Sequence, residues 1–135
     1  MSQLTVNQTG DGPAILCRAI PIIRIFDRAK AVECYVDWLG FRINFEHQFE
    51  PNTPSYISIT LNGMELHLSE HHGDASPGSR TLVEYPGIHE YHKTLMAKGY
   101  KYMRPGVEKA FWGAWEMAVI DPFHNRLTFF ERIPE

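Results

Sequence analysis

One strand histidine stands out among the side chains that could carry chemistry. His67 alternates with Leu66 and Leu68, so it points to the polar side of a predicted strand, where it could bind a ligand or transfer a proton. Alternatively, His67 has no functional role and its ring is hydrogen-bonded to water or to other groups of the protein. Ser69 lies on the same side, but no third group that would orient a nucleophile is apparent, so we assign no catalytic residue.

Aromatic residues form a second group of candidates, because Phe, Trp and Tyr make up 13% of the chain. Trp112 lies between Phe111 and Gly113, outside any clean periodicity, and could stack on a flat ligand or pack on the core. Phe45 and Phe49 are four residues apart on one face of a predicted strand. That spacing suits a groove wall, a sheet core or a dimer contact equally well.

Carboxylates on predicted strands form the third group. Glu65, Glu84 and Glu116 could attract a cationic ligand or simply face solvent. The loop EHHGD at residues 70–74 could capture a metal ion, but adjacent histidines on a loop lack the fixed spacing of metal motifs. We therefore expect a solvated loop there.

Composition narrows the classes of partner. Thirteen Lys and Arg against sixteen Asp and Glu give a net charge of −3 without charged blocks, which argues against a nucleic-acid partner. No apolar run reaches the roughly 18 residues of a membrane span, and no leader pattern is visible. With Cys17 and Cys34 both in apolar stretches, the sequence predicts a reduced, cytoplasmic protein without membrane association.

The elements that must position these candidates occur in the same order twice. Asp27 is typical of a helix N-cap and Gly40 of a residue that ends a helix, and Asn62-Gly63 is the strongest hairpin signal in the chain. Helices are predicted over residues 27–40 and 87–98, and strands over 15–26, 41–49, 55–61, 64–69, 80–85, 100–107, 114–120 and 126–131.

This order predicts an α+β fold of two βαβββ modules, at about residues 15–69 and 79–131, that form a cup-shaped mixed sheet. The modules belong to one domain over residues 14–135, preceded by a flexible N-terminal arm at residues 1–13. Two helices can cover only one side of such a sheet. The other side is left for a ligand or a second subunit.

Three segments resemble the vicinal-oxygen-chelate superfamily, also called the glyoxalase/bleomycin-resistance/dioxygenase group. They are PIIRIFD at residues 21–27, AVECYVDWLGF at residues 31–41 and DPFHNRL at residues 121–127, and the likeness extends over residues 15–132. The resemblance implies the cup-shaped fold. It leaves the chemistry open, since the superfamily includes metal lyases, dioxygenases, thiol transferases and metal-free drug binders.

The resemblance also locates the positions where metal-dependent members hold their metal. Those positions fall here on Ile20, His67, Arg80 and Thr128, of which only His67 is a competent ligand. A metal site needs at least three protein ligands, so we predict no metal and no cofactor.

Within the superfamily, the chain most resembles the bleomycin-resistance branch. Phe111-Trp112-Gly113, followed by Glu116, resembles a Pro-Trp-Gly motif of that branch with Phe111 in place of Pro. The segment LHLSEHHGD at residues 66–74 resembles the corresponding strand and loop of one subset. The resemblance implies a strand- or arm-exchanged homodimer with two grooves at the subunit interface. Trp112 and Phe45 would flank the bithiazole of the drug there, and Phe49 would line the same groove.

The sequence thus predicts an antibiotic-resistance protein that sequesters a glycopeptide of the bleomycin type without a metal and without catalysis. A metal-dependent lyase or dioxygenase and a binder of another small aromatic metabolite are the alternatives. The candidate ligand-binding residues are Trp112, Phe45, Phe49, Phe111, His67, Glu65 and Glu116.

Overall fold

Strands and helices follow one another in the predicted order. The structure, a computed structural model, describes residues 15–135; the predicted arm at residues 1–13 lies outside them. The elements are β1 (Ile22–Arg24), α1 (Arg28–Val32), which continues directly into a π-helical segment (Glu33–Trp38), β2 (Arg42–His47), β3 (Tyr56–Leu61), β4 (Met64–Ser69), β5 (Arg80–Glu84), α2 (Ile88–Lys98), β6 (Val107–Ala110), β7 (Ala114–Ile120) and β8 (Arg126–Arg132).

The strands form two four-stranded sheets with the same topology. The first sheet has the order β1-β4-β3-β2 and the second β5-β8-β7-β6. In each sheet the strand that precedes the helix pairs in parallel with the last strand, and the other pairs are antiparallel. This confirms the predicted α+β fold of two βαβββ modules.

The first helical region has the predicted ends and part of the predicted buried face. The Asp27 carboxylate caps the helix by accepting a hydrogen bond from the backbone N–H of Lys30 at 2.9 Å, and Gly40 ends it with φ of +92°. The apolar residues Val32, Tyr35, Val36 and Leu39 recur at helical spacing, which predicts that all four lie on the buried face. Tyr35 and Leu39 are buried, but Val32 and Val36 are only half-buried. The buried positions are Ala31, Cys34, Tyr35, Trp38 and Leu39.

The predicted hairpin sets the register of β3 and β4. Asn62 and Gly63 both have positive φ, +48° and +86°, as a type I′ turn requires. The register that follows places Ser58 opposite His67. Leu66 and its neighbours of the same parity pack against the helices, so His67 lies on the opposite side of the sheet, as the alternation predicted.

The prediction of a strand at residues 100–107 is wrong, because β6 begins only at Val107. The ring of Tyr100 stacks on Trp38 with centroids 4.5 Å apart, and the carbonyl of Pro105 is bonded to the His92 ring at 2.9 Å. These tertiary contacts hold the segment against the helical layer and out of the sheet. The other strand errors are at the ends, since β1 and β2 are shorter than predicted.

A buried carboxylate joins the two modules. Asp121, only 5% exposed, accepts hydrogen bonds from the Tyr35 hydroxyl at 2.7 Å and from the backbone N–H groups of Phe123 and Asn125 at 2.8 Å. The Asn125 side-chain amide donates to Asp121 at 2.9 Å and to the carbonyl of Arg24 at 2.7 Å. The Asp and Asn of DPFHN thus connect the second module to the helix and first strand of the first module.

The helices supply further bonds between the modules. The Tyr91 hydroxyl donates to the Leu39 carbonyl at 2.7 Å, and the Trp38 indole donates to the Leu95 carbonyl at 3.1 Å. The core therefore lies between the helices and one side of each sheet. None of the helices that residues 15–135 form is long and apolar enough to cross a membrane.

Candidate functional site

Each sheet has a second side that the helices do not cover. On the first sheet we call this surface the first face; it combines polar groups with one exposed ring in the middle of the strands. Its central residues are Phe45, His47, Tyr56, Ser58, Thr60, Glu65 and His67.

A chain of hydrogen bonds crosses the first face. The Tyr56 hydroxyl lies 2.6 Å from His67 Nδ1, and His67 Nε2 lies 2.7 Å from Glu65 Oε2. Ser58 donates to the same carboxylate oxygen at 2.9 Å, while Arg18 donates to Glu65 Oε1 at 3.0 Å. Both nitrogens of the His67 ring are thus already engaged within the chain.

The neighbouring groups shift the pKa values of two members of this chain. Hydrogen bonds from His67 and then Ser58 lower the pKa of Glu65, so its carboxylate is ionised over a wider range of pH. Burial, followed by the negative charges of Asp74 and Glu65, raises the pKa of the Tyr56 hydroxyl. At neutral pH the chain therefore begins with a neutral phenol and ends with an ionised carboxylate.

Two phenylalanines flank this chain on the same side of the sheet. Phe45, 50% exposed, meets the His67 ring edge-on at 5.8 Å. Phe49 meets His47 at 4.8 Å and His71 at 6.1 Å, also edge-on. Neither phenylalanine belongs to the core of the described chain, so both rings are free to contact a ligand or another subunit.

The corresponding surface of the second sheet, the second face, centres on Phe130. Trp112 packs on Phe130 with ring centroids 5.2 Å apart, and its indole N–H donates to Glu116 Oε2 at 2.8 Å. The Arg132 guanidinium lies 5.9 Å from the Trp112 ring centroid, and Phe111 is fully exposed beside the tryptophan. The indole is therefore held in one orientation while 39% of the residue stays exposed.

Carboxylates form a row across the second face. The register places Phe130 between Glu84 and Glu116, and Glu116 in turn opposite Glu108. Arg132 supplies a counter-charge, with Nε 3.5 Å from Glu84 Oε2, and Arg80 and Arg126 lie further along the same side of the sheet. Carboxylates beside an aromatic cluster can accept a cationic group of a ligand.

The residues at the positions equated with metal ligands do not fit a metal ion. Arg80 donates to the Thr128 hydroxyl at 3.3 Å, so these two positions hold a cationic side chain and a hydroxyl that is already bonded to it. His67 is engaged by Tyr56 and Glu65 as described. Across residues 15–135, no group of three or more His, Cys, Asp and Glu side chains is arranged to hold a metal.

The candidate residues from the sequence fall into two clusters. Phe45, Glu65 and His67 are in contact on the first face, and Trp112 and Glu116 are in contact on the second. Three further members were missed by sequence reasoning: Tyr56, Phe130 and Arg132.

A sequence signal existed for only one of the missed residues. The Asn62-Gly63 turn fixes the strand register, and this register places Tyr56 diagonally across from His67. Phe130 and Arg132 carry no such signal, because their neighbours come from β7 and from the turn before it.

Comparison with known proteins identifies the family. A family model described as a glyoxalase superfamily protein matches residues 6–135. The bleomycin resistance protein of Geobacillus stearothermophilus is 24% identical over 136 residues, which cover 87% of this chain and 98% of that protein.

Two solved structures are similar in fold. A bleomycin resistance determinant encoded on the transposon Tn5 superposes with a TM-score of 0.68 at 18% identity, over 87% of this chain and 98% of that one. A bleomycin-binding protein complexed with bleomycin gives 0.66 at 17% identity, over 87% and 99%. These likenesses confirm the fold, and the match over nearly the whole chain shows that the protein belongs to the glyoxalase superfamily.

Proposed function

We propose that the protein binds a glycopeptide antibiotic of the bleomycin type and sequesters it without modifying it. The observation that carries the proposal is an exposed aromatic ring on each open face, Phe45 and Trp112, each held by a polar neighbour. A flat heteroaromatic ligand can stack on such rings, at about 1–3 kcal/mol per ring if base stacking is a fair guide. The similarity to a bleomycin resistance protein supports the same ligand class.

The groove in this proposal lies between two copies of the chain. Phe45 lies in the first sheet and Trp112 in the turn before β7 of the second, and no ring contact joins them within residues 15–135. We place the first face of one copy opposite the second face of the other, which gives two equivalent grooves in a two-fold dimer. Exposed apolar side chains on these faces support burial against a partner: Ile22, Leu82 and Ile120.

The carboxylate row gives the groove its affinity for a cation. Glu84, Glu116 and Glu108 lie around the ring cluster on which Trp112 packs, so a positively charged group of the ligand lies near the stacked ring. Arg132 makes a cation–π contact with Trp112 in the free chain. A ligand cation can take over that contact when it binds.

Titration with bleomycin tests the proposal through tryptophan fluorescence. Trp112 is the tryptophan exposed on an open face. Trp38 is only 2% exposed and Trp115 packs against the core beside His89, so these two supply the background. We expect saturable quenching, and we expect Trp112→Ala to weaken binding by about 5- to 150-fold, the equivalent of about 1–3 kcal/mol. Because Trp112→Ala removes the reporter, its affinity is measured by calorimetry. Tyr102→Ala, which truncates an exposed ring away from both faces, is the matched control.

Mixing two variants with weakened binding tests whether the groove needs two copies. Phe45→Ala and Trp112→Ala each damage every groove in their own homodimer. A mixed dimer has one intact groove out of two. Because random exchange makes about half of the dimers mixed, it restores about one quarter of the wild-type grooves. No recovery after subunit exchange, or a monomer by light scattering that still binds, would contradict the two-copy groove.

Two further measurements separate the alternatives. Stoichiometric metal in untagged protein would contradict metal-free binding and favour a lyase or dioxygenase. Absence of saturable bleomycin binding, together with thermal stabilisation by another aromatic compound, would favour a different small ligand; a ligand at 100 times its Kd adds about 2.7 kcal/mol.

A further inference from the structure

We propose that Arg80 and Arg126 form an anion site on the second face, which binds the carboxylate of a small molecule with an apolar body. The site lies at the end of the second sheet where β5 and β8 begin, and one copy of the chain supplies both arginines. The inference goes beyond the antibiotic binding proposed above, because this ligand group carries a negative charge.

Arg80 and Arg126 lie side by side on the open side of the sheet. They are register partners in the parallel pair of β5 and β8. Phe129 packs on Tyr91 of the helical layer, so strand alternation places Arg126 on the opposite side. Both arginines are exposed. Because neighbouring strands lie about 4.8 Å apart, the two guanidinium groups can reach one oxyanion together.

A hydrogen bond orients the Arg80 side chain. Its Nε donates to the Thr128 hydroxyl at 3.3 Å, and Thr128 is only 2% exposed. This bond draws the guanidinium toward β8, the strand of Arg126, and the terminal Nη groups have no hydrogen-bond partner within residues 15–135. A planar guanidinium held in this way presents parallel N–H donors that match the two oxygens of a carboxylate.

Neither guanidinium of the pair has an acidic partner in the described part of the chain. The arginine ion pairs among residues 15–135 involve Arg18, Arg28 and Arg132. Like charges directly opposite one another on neighbouring strands destabilise a sheet. A guanidinium does not lose its proton in a protein, so the repulsion persists at every working pH. A bound anion relieves it.

The carboxylate row at the other end of the second face is too distant to neutralise the pair. Glu84 follows Arg80 by four residues on β5, which is about 13 Å along an extended strand. The Debye length is about 8 Å at physiological ionic strength, so exposed charges at this separation are largely screened from each other. The second face therefore has an acidic end and a basic end that suit different groups.

The residues around the pair set the class of ligand. Ile120 is the register partner of Arg126 on β7, and Leu82 lies two residues after Arg80 on the same side of β5. Both are exposed, as is Ala118. An apolar group attached to the anion covers these side chains while its carboxylate meets the guanidinium groups. In the proposed dimer these side chains line the groove, within reach of a ligand.

Benzoate is the probe, and benzamide is its uncharged analogue. We expect the full-length protein to bind benzoate saturably in calorimetry at low ionic strength. Benzamide, which lacks the charge, and acetate, which lacks the ring, should each bind at least about tenfold more weakly.

Variants of Arg126 test the site because this side chain makes no hydrogen bond within residues 15–135 whose loss would disturb the fold. Arg126→Gln should weaken benzoate binding at least about tenfold. Arg126→Lys keeps the charge without the planar donors, so its affinity should lie between the two. Lys93→Gln is the matched control, because it removes an equal charge from the exposed side of α2 and should leave benzoate affinity unchanged.

Thermal unfolding gives a readout that a purely structural pair would not show. Without an anion, Arg126→Gln should be at least as stable as the wild type, because it removes the like-charge contact. Benzoate at about 100 times its wild-type Kd should raise the midpoint of the wild type and leave that of Arg126→Gln nearly unchanged.

Four results would overturn the inference: no saturable benzoate binding, undiminished binding in Arg126→Gln, benzamide binding as tight as benzoate, or inorganic phosphate binding tighter than benzoate. A wild type that binds no benzoate, together with an Arg126→Gln variant that becomes monomeric in light scattering, would assign the pair to a contact with a second copy. Bleomycin titration is read separately. Benzoate binding without bleomycin binding would contradict only the antibiotic ligand, and the reverse would contradict only the anion site.

Discussion

Removing the carboxylate of Asp121 should destabilise the protein more than any surface substitution, because this one side chain joins the two modules. It accepts four hydrogen bonds, from the Tyr35 hydroxyl, the Asn125 side-chain amide, and the backbone N–H groups of Phe123 and Asn125. Asp121→Ala leaves all four donors without their acceptor. Tyr35 is 0% exposed, so water cannot readily replace the carboxylate there.

The expected magnitude follows from the desolvation of those donors. A buried donor left unsatisfied costs about 1–3 kcal/mol, and breaking a buried charged network costs about 3–5 kcal/mol in total. The turn donors can recover part of this cost from solvent, so we expect Asp121→Ala to lower the free energy of unfolding by about 4 kcal/mol. Tyr35→Phe removes one donor to a charged acceptor and should cost about 2 kcal/mol.

Urea unfolding of both single variants and the double variant measures the coupling. In the Asp121→Ala background the Tyr35 hydroxyl is already unsatisfied, so removing it should cost nothing further. We therefore expect the double variant to lose about 4 kcal/mol and not the additive 6, a coupling of about 2 kcal/mol. Should Asp121→Ala fail to fold, Asp121→Asn gives a milder version, because its amide oxygen still accepts from the turn.

An additive double variant, within about 0.5 kcal/mol, would refute the reasoning. It would mean that Tyr35 and Asp121 do not depend on each other in the folded chain. The modules would then be joined by other contacts, such as the bonds from Tyr91 to the Leu39 carbonyl and from Asn125 to the Arg24 carbonyl.

Two further predictions concern the thiols and one surface ion pair. Burial raises the pKa of the Cys34 thiol to about 12, so a thiol reagent at pH 8 should label exposed Cys17 in the native protein and both thiols only in urea; two reactive native thiols would contradict this. Hydrogen bonding to Arg28 lowers the pKa of Glu46. A carboxylate whose pKa is lower in the folded state stabilises the fold at pH values above the ordinary Glu pKa. This stabilisation is lost as the pH falls through the folded-state pKa. Because the pair is partly exposed, Glu46→Gln should lower the free energy of unfolding by less than about 1 kcal/mol near neutral pH and leave it unchanged at pH 2. Thermal unfolding at both pH values measures the difference.

Features set by local backbone chemistry could be predicted from the sequence. The cap at Asp27, the helix end at Gly40 and the turn at Asn62-Gly63 each depend on a few adjacent residues, and all three were predicted correctly. The alternation in β4 likewise placed His67 on the open side of its sheet.

Features set by tertiary contacts could not be predicted in the same way. The segment after α2 has the apolar content of a strand, but the stacking of Tyr100 on Trp38 holds it against the helical layer. The buried face of the first helical region is offset from the predicted one because Trp38 and its neighbours fill the space between the modules. Neither contact is visible in a window of adjacent residues.

Net charge illustrates why predicting the candidate site requires the order of the strands in the sheet as well as their positions in the sequence. A value of −3 for the whole chain is a weak attraction for a cationic ligand. Strand parity alone could direct Glu84 and Glu116 to the open side, but it could not say that they flank the same ring. That arrangement requires β8 to lie between β5 and β7, so that Phe130 is paired with both carboxylates. The grouping of carboxylates beside Phe130 therefore depends on register across three strands, which the net charge of the chain does not contain.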